Sequence, residues 1–262
     1  MTNAVKVMRT GAVLELGLDR PKVNAIDAAT SRELNRAFAD FRDNPELRVA
    51  IITGGGCRIF SAGWDINAGA THGEGEDADF GEGGFAGLDI VFGMNKPVIA
   101  AVNGVAVGGG VEIVLACDLV VAAEHVTFSL PETALGVMAD AGGVQRLPRR
   151  LPRNIALEML YTGRKMNATE AAGWGLVNRV VPADEVMRTA RDYAHLISTG
   201  APLSVSAIKE VVRSIEGLSE EQALQAVRKR KFPAYAQMLD SRDRIEGPQA
   251  FVEKRKPIWR GR

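Results

Sequence analysis

An α/β fold is what this chain predicts, and two observations carry the prediction. Short apolar, strand-like runs alternate with helical patterns through the first two-thirds, and the last third is helical throughout. Such alternation is the pattern of α/β architecture. Glycine-rich turns follow several of the runs, and one of them leads into a glutamate: Gly108-Gly109-Gly110-Val111-Glu112. At 262 residues the chain can bury a sizeable core as one domain, or as one domain with an extension.

The elements follow in order. Residues 12–18 read as a strand, ended by Asp19-Arg20-Pro21. Residues 30–42 read as a helix, because Leu34, Ala37, Phe38 and Phe41 share one face. Thr30 and Glu33 have the spacing of a capping box at its start. Residues 48–53 form a second strand that runs into Gly54-Gly55-Gly56, residues 97–102 a third that closes on Asn103-Gly104, and residues 118–123 a further short one. Residues 66–88 break the alternation. They are rich in glycine, carry Glu74, Glu76, Asp77, Asp79 and Glu82 with no Lys or Arg, and read as a mobile loop. Helices are expected at 184–198, around Val205, Ile208, Val212 and Ile215, at 220–239 and at 248–256. No internal repeat shows at the residue level.

Composition excludes several functions. The 32 basic and 32 acidic residues cancel, and no basic block of the kind that binds nucleic acid is present. No apolar run reaches the roughly 18 residues of a membrane span. Residues 1–10 lack the pattern of a signal or transit peptide. Cys57 and Cys117 stand alone and far apart, which points to a reducing compartment, so a soluble, cytoplasmic protein is expected. His72, His125 and His195 lack metal-ligand spacing, so no metal is expected. A dinucleotide turn after residue 53 fails because its third glycine would fall at Ile59. A Walker sequence and a G-x-S-x-G elbow are both absent. Trp64 on its own reads as a packing aromatic.

The residues that carry chemistry are Glu112 and Glu132, the latter in Leu130-Pro131-Glu132. A carboxylate pair can position one water and move protons on and off a substrate. Gly109 and Gly110 open a helix, whose free N–H groups and partial positive charge suit an oxyanion. Spacing alone leaves open the plainer reading, a solvated helix glutamate and a loop glutamate.

Longer motifs resolve that choice. Asp19-Arg20-Pro21 with Asn24-Ala25, Phe60-Ser61-Ala62-Gly63-Trp64-Asp65, the run Pro97 to Gly104, Gly108 to Glu112, Pro131-Glu132, Leu135-Gly136, Gly142 to Leu147 and Gly175-Leu176-Val177 together resemble the crotonase, or enoyl-CoA hydratase/isomerase, superfamily over nearly the whole chain. Ser61 to Asp65, Asp77 to Gly81, Gly83 to Gly87, Ile245 to Pro248 and the ending Pro257 to Arg262 look most similar to its carnitinyl-CoA dehydratase branch. The resemblance implies a crotonase-like spiral of ββα units over residues 1–200. It implies a helical C-terminal region over residues 201–262 that makes homotrimers, often paired into hexamers. It also implies an acyl-CoA thioester substrate and no cofactor. The family's oxyanion hole falls on the backbone N–H groups of Trp64 and Gly109, and its hydratase carboxylates fall on Glu112 and Glu132. Its CoA contacts fall on Lys22, Val23, Ala25, Ala62, Asp65 and Ile66, with Phe251 and Lys254 reaching the CoA of an adjoining subunit. The branch implies interconversion of crotonobetainyl-CoA and carnitinyl-CoA. A general short-chain enoyl-CoA hydratase is the alternative. So is an isomerase using Asp140, which matches a catalytic position of dienoyl-CoA isomerases. Trp64, Phe80 and Phe85, with the acidic residues between them, are expected to attract a quaternary ammonium.

Overall fold

The computed structural model describes residues 4–68, 78–89 and 93–262. Among the described residues, ten strands fall into two sheets. The larger holds β1 (Val5–Thr10), β2 (Val13–Leu18), β3 (Val49–Gly54), β5 (Val98–Val102), β7 (Leu119–Ala123) and β10 (Arg179–Val181). The smaller holds β4 (Ile59–Ser61), β6 (Val105–Val107), β8 (Thr127–Ser129) and β9 (Met166–Asn167). The pairs β3/β4, β5/β6 and β7/β8 each give one strand to each sheet, and successive pairs stack in parallel. That is the spiral. The repeat lies in the path of the backbone rather than in the identity of its residues.

Strand β5 is buried along its whole length, and β3 nearly so. Both faces of a parallel sheet are covered, so such strands read as continuous apolar runs. Helix α1 (Ala28–Asp43) buries Leu34, Phe38 and Phe41. Its N-cap is Asp27, whose carboxylate accepts from Thr30 N–H at 2.8 Å; Thr30 is inside the helix. The expected capping box is therefore displaced, and Glu33 instead accepts from Val5 N–H at 3.2 Å, tying β1 down. The later elements are α2 (Gly109–Ala116), α3 (Gly143–Arg150), α4 (Arg153–Thr162), α5 (Ala168–Gly173) and α6 (Val186–Ser198). Helix α6 packs across β3, β5 and β7 with Ala190 and Ala194 fully buried. Its Arg191 grips the buried Glu15 through two bonds of 2.7 and 2.8 Å.

Four helices follow: α7 (Pro202–Ser214), α8 (Glu220–Arg228), α9 (Pro233–Asp240) and α10 (Asp243–Val252). The single long pattern expected at 220–239 divides in two. Pro233 cannot continue a helix from its N-terminal side, but it suits a first turn. Glu210 of α7 is buried, and its carboxylate accepts from Ala234 N–H at 2.7 Å, closing that new helix start. The last helix begins at Asp243 rather than at Pro248. Asp243 is buried and accepts from Arg260 and Gly261 N–H, both at 2.8 Å, while Trp259 Nε1 donates to Thr199 O at 2.8 Å. The chain end is thereby strapped back over α10 and the end of α6. No helix among the described residues is long and apolar enough to cross a membrane.

The expected mobile loop at 66–88 is only partly within the described residues; Glu74, Glu76 and Asp77 lie outside them. What is described is ordered by side-chain bonds. The Asn35 amide donates to Phe80 O at 2.7 Å and Gly84 O at 3.1 Å. A 3₁₀ turn follows at Phe85–Gly87, with Phe85 buried.

Candidate active site

One wall begins at Asn24. It is buried in the left-handed region with φ of 49°, and its amide donates to the carbonyls of Gly55, Ile59 and Phe60. This fixes residues 22–26 beside β4. Ala62 N–H donates to Val23 O, Ile26 N–H to Gly63 O and Asp65 N–H to Ile26 O, at 2.8–3.0 Å. The segment of Lys22, Val23 and Ala25 thus runs beside that of Ala62, Asp65 and Ile66, with Lys22, Val23 and Ile66 exposed. The Asp65 side chain has a structural duty there. It meets Arg20 at 2.6 Å and accepts from Asn67 and Ala68 N–H. Burial opposes its charge, yet Arg20 and those N–H groups hold its carboxyl below the usual range.

The turn Gly63-Trp64 meets the start of α2. Gly63 has φ of 79°, and a Cβ there would lie 2.5 Å from Gly109 N and 2.8 Å from Val107 O. Only glycine permits this approach. Trp64 pairs with Ile26 as an isolated bridge whose bonds run through Gly63 O and Asp65 N–H, so its own N–H takes no part. Gly109 is the first residue of α2, where N–H groups lack an intrahelical partner. The indole Nε1 of Trp64 is also buried with no partner among the described residues.

Glu112 stands in the first turn of α2, 5% exposed. Its Oε1 accepts from Gly143 N–H at 2.9 Å. Burial pushes its carboxyl up to about 8; Gly143 N–H offsets part of this, and the charges of Glu132, Asp140 and Asp89 add to it. Glu132 opens a 3₁₀ turn, Glu132–Leu135. Its Oε1 lies 2.9 Å from where a Cβ on Gly108 would stand, and its Oε2 is buried and unpartnered among the described residues. Burial raises its carboxyl as well, with Asp140 adding to the effect. Two carboxyls, both raised by burial and Glu112 to about 8, thus stand beside two backbone N–H donors. This arrangement can bind a carbonyl that gains negative charge while protons move at neighbouring atoms.

Three participants, Gly143, Asp89 and Arg146, carry no role in the sequence, and Phe85 stands elsewhere than expected. Gly143 N–H holds Glu112, although nothing in a Gly-Gly pair announces a donor. Asp89 lies in Coulombic reach of Glu112, and burial raises its own carboxyl. Arg146 contacts the backbone around Asp89. Phe85, expected to face a quaternary ammonium, lies where a Cβ on Gly109 would fall, 2.5 Å from it, and Phe80 meets its ring edge-on at 5.9 Å. Phe85 is buried in the core, and Phe80 and Trp64 are partly buried against it. Asp140 is exposed. Phe251 is 85% exposed, and Lys254, also exposed, follows α10 in the left-handed region.

Comparison with known proteins gives the family. Residues 8–262 match the model of the enoyl-CoA hydratase/isomerase family. The chain belongs to that family. Carnitinyl-CoA dehydratase of Salmonella typhi is 53% identical over 262 residues, covering 100% of both chains. Among solved structures similar to this enoyl-CoA hydratase/isomerase family member is enoyl-CoA hydratase from Mycobacterium tuberculosis H37Rv. It has a TM-score of 0.90 and 36% identity, covering 99% of this chain and 100% of that one. Carnitinyl-CoA hydratase from Mycobacterium avium aligns at TM-score 0.78 with 42% identity over 100% of both chains.

Proposed function

We propose that this protein is a hydro-lyase that reversibly adds water to a 2-enoyl-CoA thioester, with crotonobetainyl-CoA and carnitinyl-CoA as its substrate pair. The observation that carries the reading is the pair of raised carboxyls, Glu112 and Glu132, beside the N–H groups of Trp64 and Gly109. The thioester oxygen sits between the two N–H groups and gains charge as an enolate forms. One such donor contributes about 3–4 kcal/mol to the transition state. In dehydration the Glu132 carboxylate takes the Cα proton, and the Glu112 carboxyl gives its proton to the departing β-hydroxyl. In hydration the ionised Glu112 takes a proton from water as its oxygen attacks Cβ, and Glu132 protonates Cα. The pair therefore works with one shared proton. Hydration is neither an oxidation nor a reduction, so the reaction calls for no redox cofactor.

The 53% identity to carnitinyl-CoA dehydratase supports the cationic acyl group. Asp89 and Asp140 add acidic groups near Glu112, which favours a cationic acyl group by Coulombic attraction. Lys22, Val23, Ala25, Ala62, Asp65 and Ile66 form the CoA edge in this reading. Residues 201–262 form the assembly region of a trimer or hexamer, and Phe251 and Lys254 serve the CoA of an adjoining subunit. Exposed Leu196, Ile208 and Val212 line a cavity of about 1010 Å³ between α7 and the core, which supports that assembly role. The unpaired Cys57 and Cys117 fit a reducing, cytoplasmic setting.

The test of substrate is a direct comparison. Crotonobetainyl-CoA should give a kcat/KM at least about tenfold above that of crotonyl-CoA, a difference of roughly 1.4 kcal/mol. Equal values would leave a general short-chain enoyl-CoA hydratase.

A further inference from the structure

We propose that Arg146 is a positioning residue that holds the Glu112 carboxyl in register with the N–H group of Gly109. The inference rests on the reading of Glu112 as the acid–base carboxyl and adds the group that aims it. Arg146 projects from α3, and its guanidinium joins two segments far apart in sequence. Nη1 donates to Ala141 O at 3.3 Å. Nη2 donates to Leu88 O at 3.5 Å and to Asp89 O, and Nη1 stands 4.0 Å from Asp89 Oδ1. The first segment carries Gly143, whose N–H holds Glu112 Oε1 at 2.9 Å. The second carries Phe85, whose ring packs where a Cβ on Gly109 would stand. One planar cation thus ties together the support of the acid–base carboxyl and the support of the oxyanion donor.

Only a guanidinium suits this task. Its five N–H donors lie in a rigid fork that can serve two loops at once, whereas an ammonium is a point donor on a flexible stem. The seat is specific too. Gly142 has φ of 112°, and a Cβ on it would overlap the Arg146 guanidinium. The glycine before Gly143 therefore leaves the room that the arginine fills. A displacement of about 1 Å at a positioning residue can cost on the order of 10²-fold in rate without touching the substrate.

The test uses the full-length enzyme, with active sites counted by titration with a CoA thioester. Arg146→Lys, Gly142→Ala and the double variant are compared with wild type on crotonyl-CoA and crotonobetainyl-CoA, with Glu112→Gln alongside. Arg146→Lys is expected to lower kcat per site by about 10–100-fold while KM stays within about threefold. Gly142→Ala, which keeps the guanidinium but denies it its seat, should lose kcat in the same way. The double variant should be no worse than the poorer single one, because both changes remove one interaction. Wild-type kcat per site in Arg146→Lys would overturn the proposal. So would losses that multiply in the double variant, or failure of both single variants to fold, which would assign Arg146 to the fold alone. An active Glu112→Gln would instead overturn the reading of the site on which the proposal stands.

Discussion

Glu112→Gln and Glu132→Gln should each fold and lose about 10²–10⁴-fold in kcat, the usual range for a positioned acid or base. Both changes keep the size and shape of the side chain. Gly143 N–H can still donate to the amide oxygen at position 112, so the fold around α2 keeps its bond. What disappears is the proton. Glu112, raised to about 8, must take up a proton when the chain folds near neutral pH, a cost that Gln does not carry, and burial raises Glu132 in the same direction, so neither variant should be less stable than wild type there. The pH profile adds a second check. Catalysis in both directions uses the pair with one proton, so wild-type activity should decline as pH rises through about 8. Either variant keeping more than a third of wild-type kcat would remove its residue from the mechanism.

Gly63→Ala should be nearly as damaging for a different reason. The new Cβ would stand 2.5 Å from Gly109 N and 2.8 Å from Val107 O, and its φ of 79° strains any residue but glycine. Both obstacles are backbone, so they cannot rotate away. The turn carrying Trp64 must move off α2, which separates the two N–H donors. Loss of one donor corresponds to about 10²–10³-fold in kcat. A crotonyl-CoA assay on folded Gly63→Ala, with CoA affinity measured separately, checks this. Wild-type kcat would show that the two N–H groups do not act together.

Parts of this arrangement were legible in the sequence for identifiable reasons. The run 98–102 announced itself because β5 is buried on both faces. Strand β1 gave no such signal, since five of its six residues are exposed along an edge. The second sheet was invisible because β4, β6 and β8 are three residues each, too short for a period to show. Glu112 and Glu132 could be singled out from their glycine and proline neighbours. The upward shift of their carboxyls could not, because it comes from burial and from Asp89 and Asp140, which are distant in sequence from one or both of them. The place of Phe85 was hidden for the same reason: its neighbours are glycines, and its ring is set against Gly109 by tertiary contact alone.

The central claim is addition of water by a two-carboxyl site, and one measurement tests it most directly. Crotonobetainyl-CoA is incubated with the enzyme in deuterium oxide enriched in heavy oxygen, and the product is examined by mass spectrometry and proton resonance. The account predicts solvent oxygen at Cβ and solvent deuterium at Cα, with Cγ unlabelled. A product with the double bond moved to Cβ–Cγ, a hydrogen lost from Cγ, deuterium at Cα and no oxygen uptake would contradict it, and would point to isomerisation through Asp140.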